Sequence, residues 1–96
     1  MKPRVSVIMT IYNSDLYLKE AIDSLLMQSF MNWELIAVEN GSNDNSVTIL
    51  KKYNDKRIRV FLFPENIGRT PALRFAFEKS QGEFIAVLDS DDVAKP

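Results

Sequence analysis

The amino-acid sequence predicts an α/β protein, in which a Rossmann-like, mostly parallel sheet is covered by helices on both faces. Four short apolar runs rich in β-branched residues alternate with three segments of helical periodicity. This alternation favours parallel pairing, because each helix returns the chain to the start of the next strand. The first, second and fourth runs are almost continuously apolar, as expected for strands buried on both sides.

The local pattern predicts each strand and the first helix. Strands are expected at residues 5–9, 34–38, 57–63 and 84–88. In the third strand, Ile58, Val60 and Leu62 alternate toward one face. The first helix is predicted to start at Leu16 and to bury residues that repeat at helical spacing, namely Leu18, Ile22, Leu25 and Leu26.

The second and third helices are predicted from their periodicity and from their end signals. The second helix is expected over residues 47–53. Thr70 is expected to cap the third helix, because Pro71 after it suits a first helical position. Its buried stripe is predicted to be Leu73, Ala76 and Phe77, and Gly82 is expected to end it.

Length and composition exclude several classes of protein. The 96 residues suit one domain, residues 1–96, and a net charge of -1 argues against nucleic-acid partners. Without cysteine or histidine, any metal must be held by oxygen, which favours Mg²⁺ or Mn²⁺. No apolar run is long enough to span a bilayer, and no signal-peptide cleavage site follows the first run. We therefore expect a cytoplasmic chain.

The polar residues that follow the strands are the candidate site, because ligands of open parallel sheets bind beyond the carboxyl ends of the strands. We expect these residues to share one edge of the sheet. In strand order they are Thr10, Tyr12 and Asn13; Glu39, Asn40, Gly41 and Ser42; Asn66, Gly68 and Arg69; and Asp89, Ser90, Asp91 and Asp92.

The acidic group after the fourth strand favours a metal site. Asp89, Asp91 and Asp92 repel one another unless a cation lies between them. Mn²⁺ or Mg²⁺, bound together with a nucleotide diphosphate, would remove that repulsion. The alternative is a solvated acidic turn, since Asp and Ser are ordinary turn residues.

The other candidates each have a second interpretation. Glu39 and Asn40 could bind a base edge, or form a polar loop in which Asn43 or Asp44 caps the next helix. Tyr12 could stack on a base or only pack. Arg69 lies beside a predicted helix start and could bind phosphate, or be a surface charge. Glycine-rich dinucleotide and phosphate-loop motifs are absent from the sequence, as is a serine-nucleophile elbow.

Several segments resemble the family 2 glycosyltransferases, which have the GT-A fold. Residues 5–13 resemble the opening strand of that family, and residues 26–30, 33–36, 38–44 and 66–68 continue the resemblance. It closes over residues 82–92, where Asp-Ser-Asp-Asp is similar to the family's Asp-x-Asp motif. The segments cover essentially the whole chain, in the order and at the spacing of the family.

The resemblance implies metal-dependent transfer of a sugar from a nucleotide donor, a UDP-sugar, to an acceptor hydroxyl, with inversion. The acceptor would be a glycan or glycolipid of polysaccharide biosynthesis. It places Thr10 and Tyr12 at the base pocket, and Glu39 and Asn40 at the uracil. The remaining assignments are Asp89 toward the ribose and the metal, Ser90 and Arg69 toward the donor, and Asp91 with Asp92 at Mn²⁺ or Mg²⁺.

The sequence departs from the family pattern at several positions. Glu39 and Asn40 stand where many members have two aspartates, Thr10 where proline is common, and Arg74 where asparagine is common. The family fold also needs a longer chain, which would carry the acceptor site and the catalytic base. We therefore expect a domain truncated just after the acidic motif, with no catalytic residue and no activity alone.

Two alternatives from other functional classes stay open at this point. One is a stand-alone module that binds a nucleotide or its diphosphate without chemistry. The other is a non-catalytic α/β domain that self-associates, since exposed apolar patches favour association. A homo-oligomer is expected on the same ground.

Overall fold

A computed structural model describes residues 3–89 and arranges them as a four-stranded parallel sheet with three helices. The strands are β1 (Val5–Ile11), β2 (Trp33–Asn40), β3 (Ile58–Phe63) and β4 (Phe84–Val87). The helices are α1 (Leu18–Leu26), α2 (Ser46–Lys51) and α3 (Arg69–Lys79). The strand order is β3-β2-β1-β4, and every pairing is parallel. The predicted alternation and fold class are confirmed.

The helices lie on both faces of the sheet, as predicted. Successive side chains of a strand point to opposite faces, so β1 and β2 contribute to two separate cores. Val7, Met9 and Leu35 pack with the buried face of α1 and with Leu50 of α2. On the other face, two isoleucines and a valine of the central strands pack against the small residues of α3, the set being Ile8, Ile36, Val38, Ala72 and Ala76.

An aromatic cluster completes the core under α3. The Phe75 ring lies edge-on to the rings of Phe61 and Phe63, with centroid distances of 5.1 and 4.9 Å. Phe77 was predicted to be buried, but it is 60% exposed. The prediction was wrong because Ala72 and Ala76 bring α3 close to the sheet, and Phe75 rather than Phe77 then faces β3.

The ends of α1 and α3 differ from the predictions. Leu16 lies outside α1 and is 83% exposed. Helix α3 begins at Arg69 with Gly68 as its N-cap, so Thr70 is inside the first turn and does not cap the helix. Gly68 has φ +92°, a backbone conformation that side chains with a Cβ rarely adopt. The chain therefore enters α3 two residues earlier than the Thr-Pro signal indicated.

Strands β3 and β4 are more exposed than the two central strands. Val60 and Leu62 share one face of β3 with Ile58, as predicted, but they are 37% and 48% exposed, because α2 is short and leaves that part of the sheet open. All four residues of β4 are exposed, although their continuous apolar character predicted burial on both sides. Within residues 3–89, β4 is an edge strand that pairs with β1 alone. Among these residues, the helices are too short or too polar to cross a membrane.

Candidate functional site

A cleft of about 440 Å³ opens at the carboxyl edge of the sheet. Its lining comes from the ends of β1 and β2, the loop after β1, the loop before α3, the first residue of α3, and the second residue after β4. The lining residues are Thr10, Ile11, Tyr12, Ser14, Asn40, Asn66, Arg69 and Asp89. Six of the candidate site residues are therefore brought together, namely Thr10, Tyr12, Asn40, Asn66, Arg69 and Asp89.

Two opposite charges face each other in this cleft. Arg69 Nη2 lies 3.0 Å from Asp89 Oδ1, and both side chains are more than half exposed. Arg69 is the first residue of α3, where the unpaired backbone N–H groups of a helix favour negative charge. The cleft thus contains the positively charged guanidinium of Arg69 at a helix start and the carboxylate of Asp89 just beyond a strand.

Glu39 and Asn40 point to opposite faces of the sheet. The sequence predicted a loop at these residues, but β2 continues through Asn40, so consecutive side chains alternate. Asn40 is buried and holds the loop before α3: its Oδ1 accepts from the Ile67 N–H, and its Nδ2 donates to the Gly68 carbonyl. Glu39 is buried on the other face and does not line the cleft; its Oε1 accepts from the Ser42 N–H.

Two loops hold Tyr12 at the rim of the cleft. Asn13, which has φ +50°, donates its N–H to Ser42 Oγ and accepts from the Asn43 N–H. These bonds tie the β1–α1 loop to the β2–α2 loop directly after Tyr12. The tyrosine side chain is left 46% exposed beside the cleft. One face of the cleft therefore offers an aromatic ring to a ligand.

Asp44 adds a second tie between the same two loops. Its carboxylate accepts from the N–H groups of Ser46 and Asp15. Partial burial raises the pKa of this carboxyl, but the hydrogen bonds from Ser46 and Asp15 outweigh that effect, and the pKa lies below its ordinary value. The N-cap of α2 is Asn45, whose side chain makes no capping bond, so the prediction that Asn43 or Asp44 is the cap was wrong. The ionised carboxylate of Asp44 instead accepts from the N–H of Ser46, the first residue of α2.

Gly41 lets the β2–α2 loop approach the loop before α3. Its φ is +76°, and an added Cβ would lie 2.5 Å from Asn66 N and would also overlap the Glu65 backbone. Any side chain at this position would separate the two loops. Because Asn66 lines the cleft, this glycine contributes to the shape of the cleft itself.

The acidic motif is only partly described. Asp89 lies in the cleft, whereas Ser90, Asp91 and Asp92 lie outside the described residues. Within residues 3–89, there is no group of three acidic side chains able to hold a metal ion. The carboxylate of Asp89 is an oxygen donor of the kind that Mn²⁺ and Mg²⁺ prefer.

Two lining residues, Ile11 and Ser14, were not among the candidates predicted from the sequence, and Asn66 was a candidate without an assigned role. Ser14 follows the turn after β1, and its N–H donates to Ser46 Oγ. Asn66 accepts from the Gly68 N–H, an Asx turn that leads into α3. The position of Asn66 beyond β3 was a usable signal, since it was already placed at the carboxyl edge.

Comparison with known proteins identifies the family. The family model described as glycosyl transferase family 2 matches residues 6–96. The chain belongs to glycosyl transferase family 2. It is 44% identical over 92 residues to an uncharacterised glycosyltransferase of Haemophilus influenzae, covering 94% of this chain. It is 36% identical over 97 aligned residues to the glycosyltransferase GlyG of Streptococcus pneumoniae, covering 99% of this chain.

Solved structures of glycosyltransferases show the same architecture as this family 2 chain. S. aureus TarS 1–349 in complex with UDP-GlcNAc matches with a TM-score of 0.88 and 33% identity, over 94% of this chain and 27% of that one. The mannosyltransferase PcManGT of Pyrobaculum calidifontis, solved with GDP-Man and Mn²⁺, matches with a TM-score of 0.89 at 24% identity, over 100% of this chain and 30% of that one. The latter likeness concerns the fold alone.

The family 2 chain corresponds to one part of these longer proteins. It covers 37% of the length of the Haemophilus relative and 32% of GlyG. The matched part carries the parallel sheet and the cleft at its carboxyl edge.

Proposed function

We propose that this chain is the donor-binding domain of a metal-dependent glycosyltransferase, and that the cleft at the carboxyl edge of the sheet binds the nucleotide diphosphate of a UDP-sugar. The observation that carries the proposal is the convergence of Tyr12, Arg69 and Asp89 on one cleft of about 440 Å³. This volume lies in the range of small-molecule sites. The three side chains have the chemistry that a base, a diphosphate and a metal ion each require.

Tyr12 would contact the base. Its ring is 46% exposed, and the loop bonds of Asn13 hold the backbone beside it. Stacking of a base on an aromatic side chain contributes about 1–3 kcal/mol. Thr10, half-buried one residue before the end of β1, would line the same pocket.

Asn40 would combine a structural role with a base contact. One amide N–H is used by the Gly68 carbonyl, but the Nδ2 group has a second hydrogen. That hydrogen is available for a carbonyl oxygen of uracil, as the family resemblance implies. The predicted contact between Glu39 and uracil stays a prediction. It would have to be made from the face of β2 opposite Asn40, where the Glu39 side chain lies.

Arg69 would bind the diphosphate. Its guanidinium lies at the start of α3, where the helix dipole also favours anions. In the structure the guanidinium is paired with Asp89. If a metal ion binds the carboxylate of Asp89, the guanidinium of Arg69 can donate to phosphate oxygens instead. Phosphates accept charge-assisted hydrogen bonds from arginine, often two at once.

Asp89 would hold Mn²⁺ or Mg²⁺ together with Asp91 and Asp92. The carboxylate donor of Asp89 fits such an ion, and a cation would separate the charges of the acidic motif. When bound, the ion stabilises the negative charge that develops on the departing diphosphate. The base that deprotonates the acceptor hydroxyl is assigned to no described residue, so we expect no sugar transfer by this chain alone.

The proposal is tested by titrating the chain with UDP in a calorimeter, with and without MnCl₂. We expect binding that requires Mn²⁺ and is lost in Asp91→Ala, while the exposed-site control Glu20→Gln binds like the wild type. Titration with GDP and CDP tests the preference for uracil. Absence of UDP binding by a folded wild-type chain would overturn the proposal, and equal affinities for the three nucleotides would overturn UDP specificity alone.

A further inference from the structure

A buried polar cluster pins the turn between α3 and β4, at the edge of the sheet opposite the cleft. Glu34 lies near the start of β2, and its side chain is only 6% exposed. Its Oε2 accepts from Ser6 Oγ at 2.6 Å and from the Gln81 N–H at 2.7 Å. The carboxylate thus joins the starts of two central strands to the turn that leads into β4.

Ser6 and Arg59 extend this cluster to both sides of the turn. Ser6 Oγ accepts from the Gly82 N–H at 2.8 Å. Arg59 Nη1 donates to Glu34 Oε1 at 3.1 Å and to the Lys79 carbonyl, at the end of α3, at 2.9 Å. One set of side chains therefore holds the last residue of α3 together with Gln81 and Gly82 in the turn that leads to β4.

Gly82 allows the turn to lie directly on β1. An added Cβ would lie 2.7 Å from Ser6 N and 2.8 Å from Ser6 Oγ, so a larger residue would displace the turn. From its position after the helical pattern, Gly82 was expected to end a helix. The helix ends at Lys79 with an extended C-cap at Ser80, and the glycine is required instead for close approach to the backbone of β1.

Strand β4 has few other interactions that fix its register. A strand's register is strongly specified where one of its faces is buried, but all four residues of β4 are exposed. Only Leu88, just beyond the strand, packs partly against the core; its N–H donates to the Ile8 carbonyl at 3.1 Å. Asp89 comes next. A slip of one residue would move Asp89 by about 3.3 Å and turn its side chain to the other face.

We propose that Ser6 and Glu34 are positioning residues that set the register of β4 and thereby place Asp89 opposite Arg69 in the cleft. The two residues lie at the edge of the sheet opposite the cleft, and they affect Asp89 by fixing how β4 pairs with β1. The consequence for ligand binding rests on the proposed function, whereas the consequence for the register does not. The two parts can therefore be tested separately.

The register is tested by amide hydrogen exchange, read by NMR, in Ser6→Ala. This change removes one hydroxyl from the cluster and adds no volume. The Phe84 N–H donates to the carbonyl of Arg4, just before β1, and the Leu88 N–H donates to the carbonyl of Ile8 in β1. We expect hydrogen exchange at both N–H groups to accelerate about tenfold or more. The Leu35 N–H, bonded to the Arg57 carbonyl at 2.7 Å, should keep its rate. If Ser6→Ala accelerates hydrogen exchange equally at all three amides, or at none of them, the proposal is overturned.

Two further variants separate a local effect from a general one. Glu34→Gln exchanges one acceptor oxygen for a donor facing Ser6, Gln81 or Arg59, and should accelerate the same amides as Ser6→Ala. Ser29→Ala removes an exposed serine hydroxyl between α1 and β2 and should change neither strand. If Glu34→Gln destabilises the whole chain, the pattern in Ser6→Ala still decides the question.

The link to the cleft is tested by a double-mutant cycle with UDP and Mn²⁺. We expect Ser6→Ala to weaken binding about threefold to tenfold, and to add nothing in the Asp89→Ala background, because Ser6 acts through Asp89. Independent, additive losses would overturn this link. A wild type that does not bind UDP would refute the proposed function instead, and the exchange pattern would still report on the register.

Discussion

Arg69 and Asp89 form an ion pair across the cleft, with 3.0 Å between Nη2 and Oδ1. The two residues are 20 positions apart: Arg69 is the first residue of α3, and Asp89 lies just beyond β4. Because both side chains are more than half exposed, the pair itself contributes little to stability. In the proposed donor site, Arg69 would bind a phosphate and Asp89 would bind a cation.

Replacing Arg69 by glutamine should weaken UDP binding by about tenfold or more, since a charge-assisted hydrogen bond to phosphate is lost. The measurement is calorimetric titration in the presence of Mn²⁺. Lys51→Gln makes the same change of charge at an exposed position of α2 and should leave the affinity unchanged. An Arg69→Gln chain with wild-type affinity would show that the guanidinium does not contact the ligand.

Replacing Tyr12 by alanine should weaken UDP binding by about fivefold to a hundredfold, because a stacking face is lost. Tyr12→Phe retains that face and should bind nearly as the wild type does. Tyr17→Ala removes another exposed tyrosine, outside the cleft, and is the matched control. Equal affinities of the two alanine variants would argue against stacking on Tyr12.

Gly41→Ala should destabilise the fold more than Gly68→Ala does. Both glycines have positive φ, and Gly68, with ψ 156°, lies in a region that is essentially restricted to glycine. Such conformations cost a residue with a Cβ about 1–3 kcal/mol. At Gly41 the new Cβ also overlaps the backbone at Glu65 and Asn66, whereas at Gly68 the nearest atom, in Pro71, is 3.5 Å away. Urea denaturation measures the difference. The reverse order would show that the two loops are not packed as described.

Phe75→Ala should lower the free energy of unfolding by about 2–4 kcal/mol, since the ring packs edge-on against Phe61 and Phe63. Phe77→Ala is the same change two residues further along α3, at a side chain that is 60% exposed. It should stay within about 0.5 kcal/mol of the wild type. Similar losses from both variants would mean that α3 is rotated relative to the sheet.

The folded chain should lose stability as the pH falls below about 4. A hydrogen bond from Arg57 holds the pKa of Asp55 below its ordinary value of 3.8. Hydrogen bonds from Lys19 and Tyr53 likewise lower the pKa of Asp23. Since the folded-state pKa is below the unfolded one, the contribution is complete above the ordinary value and is lost as the pH falls through the folded-state value.

The variant Asp55→Asn isolates one of these contributions. It should be less stable than the wild type at pH 6, and its stability should fall less steeply below pH 4, as followed by urea denaturation at each pH. Glu20→Gln neutralises an exposed carboxylate on α1 and should retain the wild-type slope. Parallel pH curves for Asp55→Asn and the wild type would show that the Arg57 contact does not favour the ionised form.

The sequence predicted the fold class well because apolar periodicity reports directly on burial. The buried residues of α1 repeat at helical spacing, and β1 and β2 are buried on both faces, as their continuous apolar character indicated. The predictions that were wrong concern which side chains are buried, rather than which helices and strands are present. Phe77 and Phe75 are equally apolar, and only the close approach of Ala72 and Ala76 to the sheet decides which ring is buried.

The candidate site was predictable in its location but not in its detail. The carboxyl-edge rule placed Thr10, Tyr12, Asn40, Arg69 and Asp89 together, and the cleft brings them together. The separation of Glu39 from Asn40 depends on where β2 ends, which the sequence pattern does not fix. The Ser6–Glu34 cluster was not predicted, because a polar residue within an apolar run does not reveal its partners.

The binding location is tested most directly by mapping UDP on the chain with amide chemical shifts, in the presence of Mg²⁺. The cleft at the carboxyl edge predicts the largest changes at Thr10, Tyr12, Asn40 and Arg69. The cluster of Ser6, Glu34 and Arg59 at the opposite edge also contains a carboxylate and a guanidinium, and serves as an internal control. Saturable changes confined to the cleft are the predicted result, and changes centred on the opposite edge would contradict the assignment of the donor site.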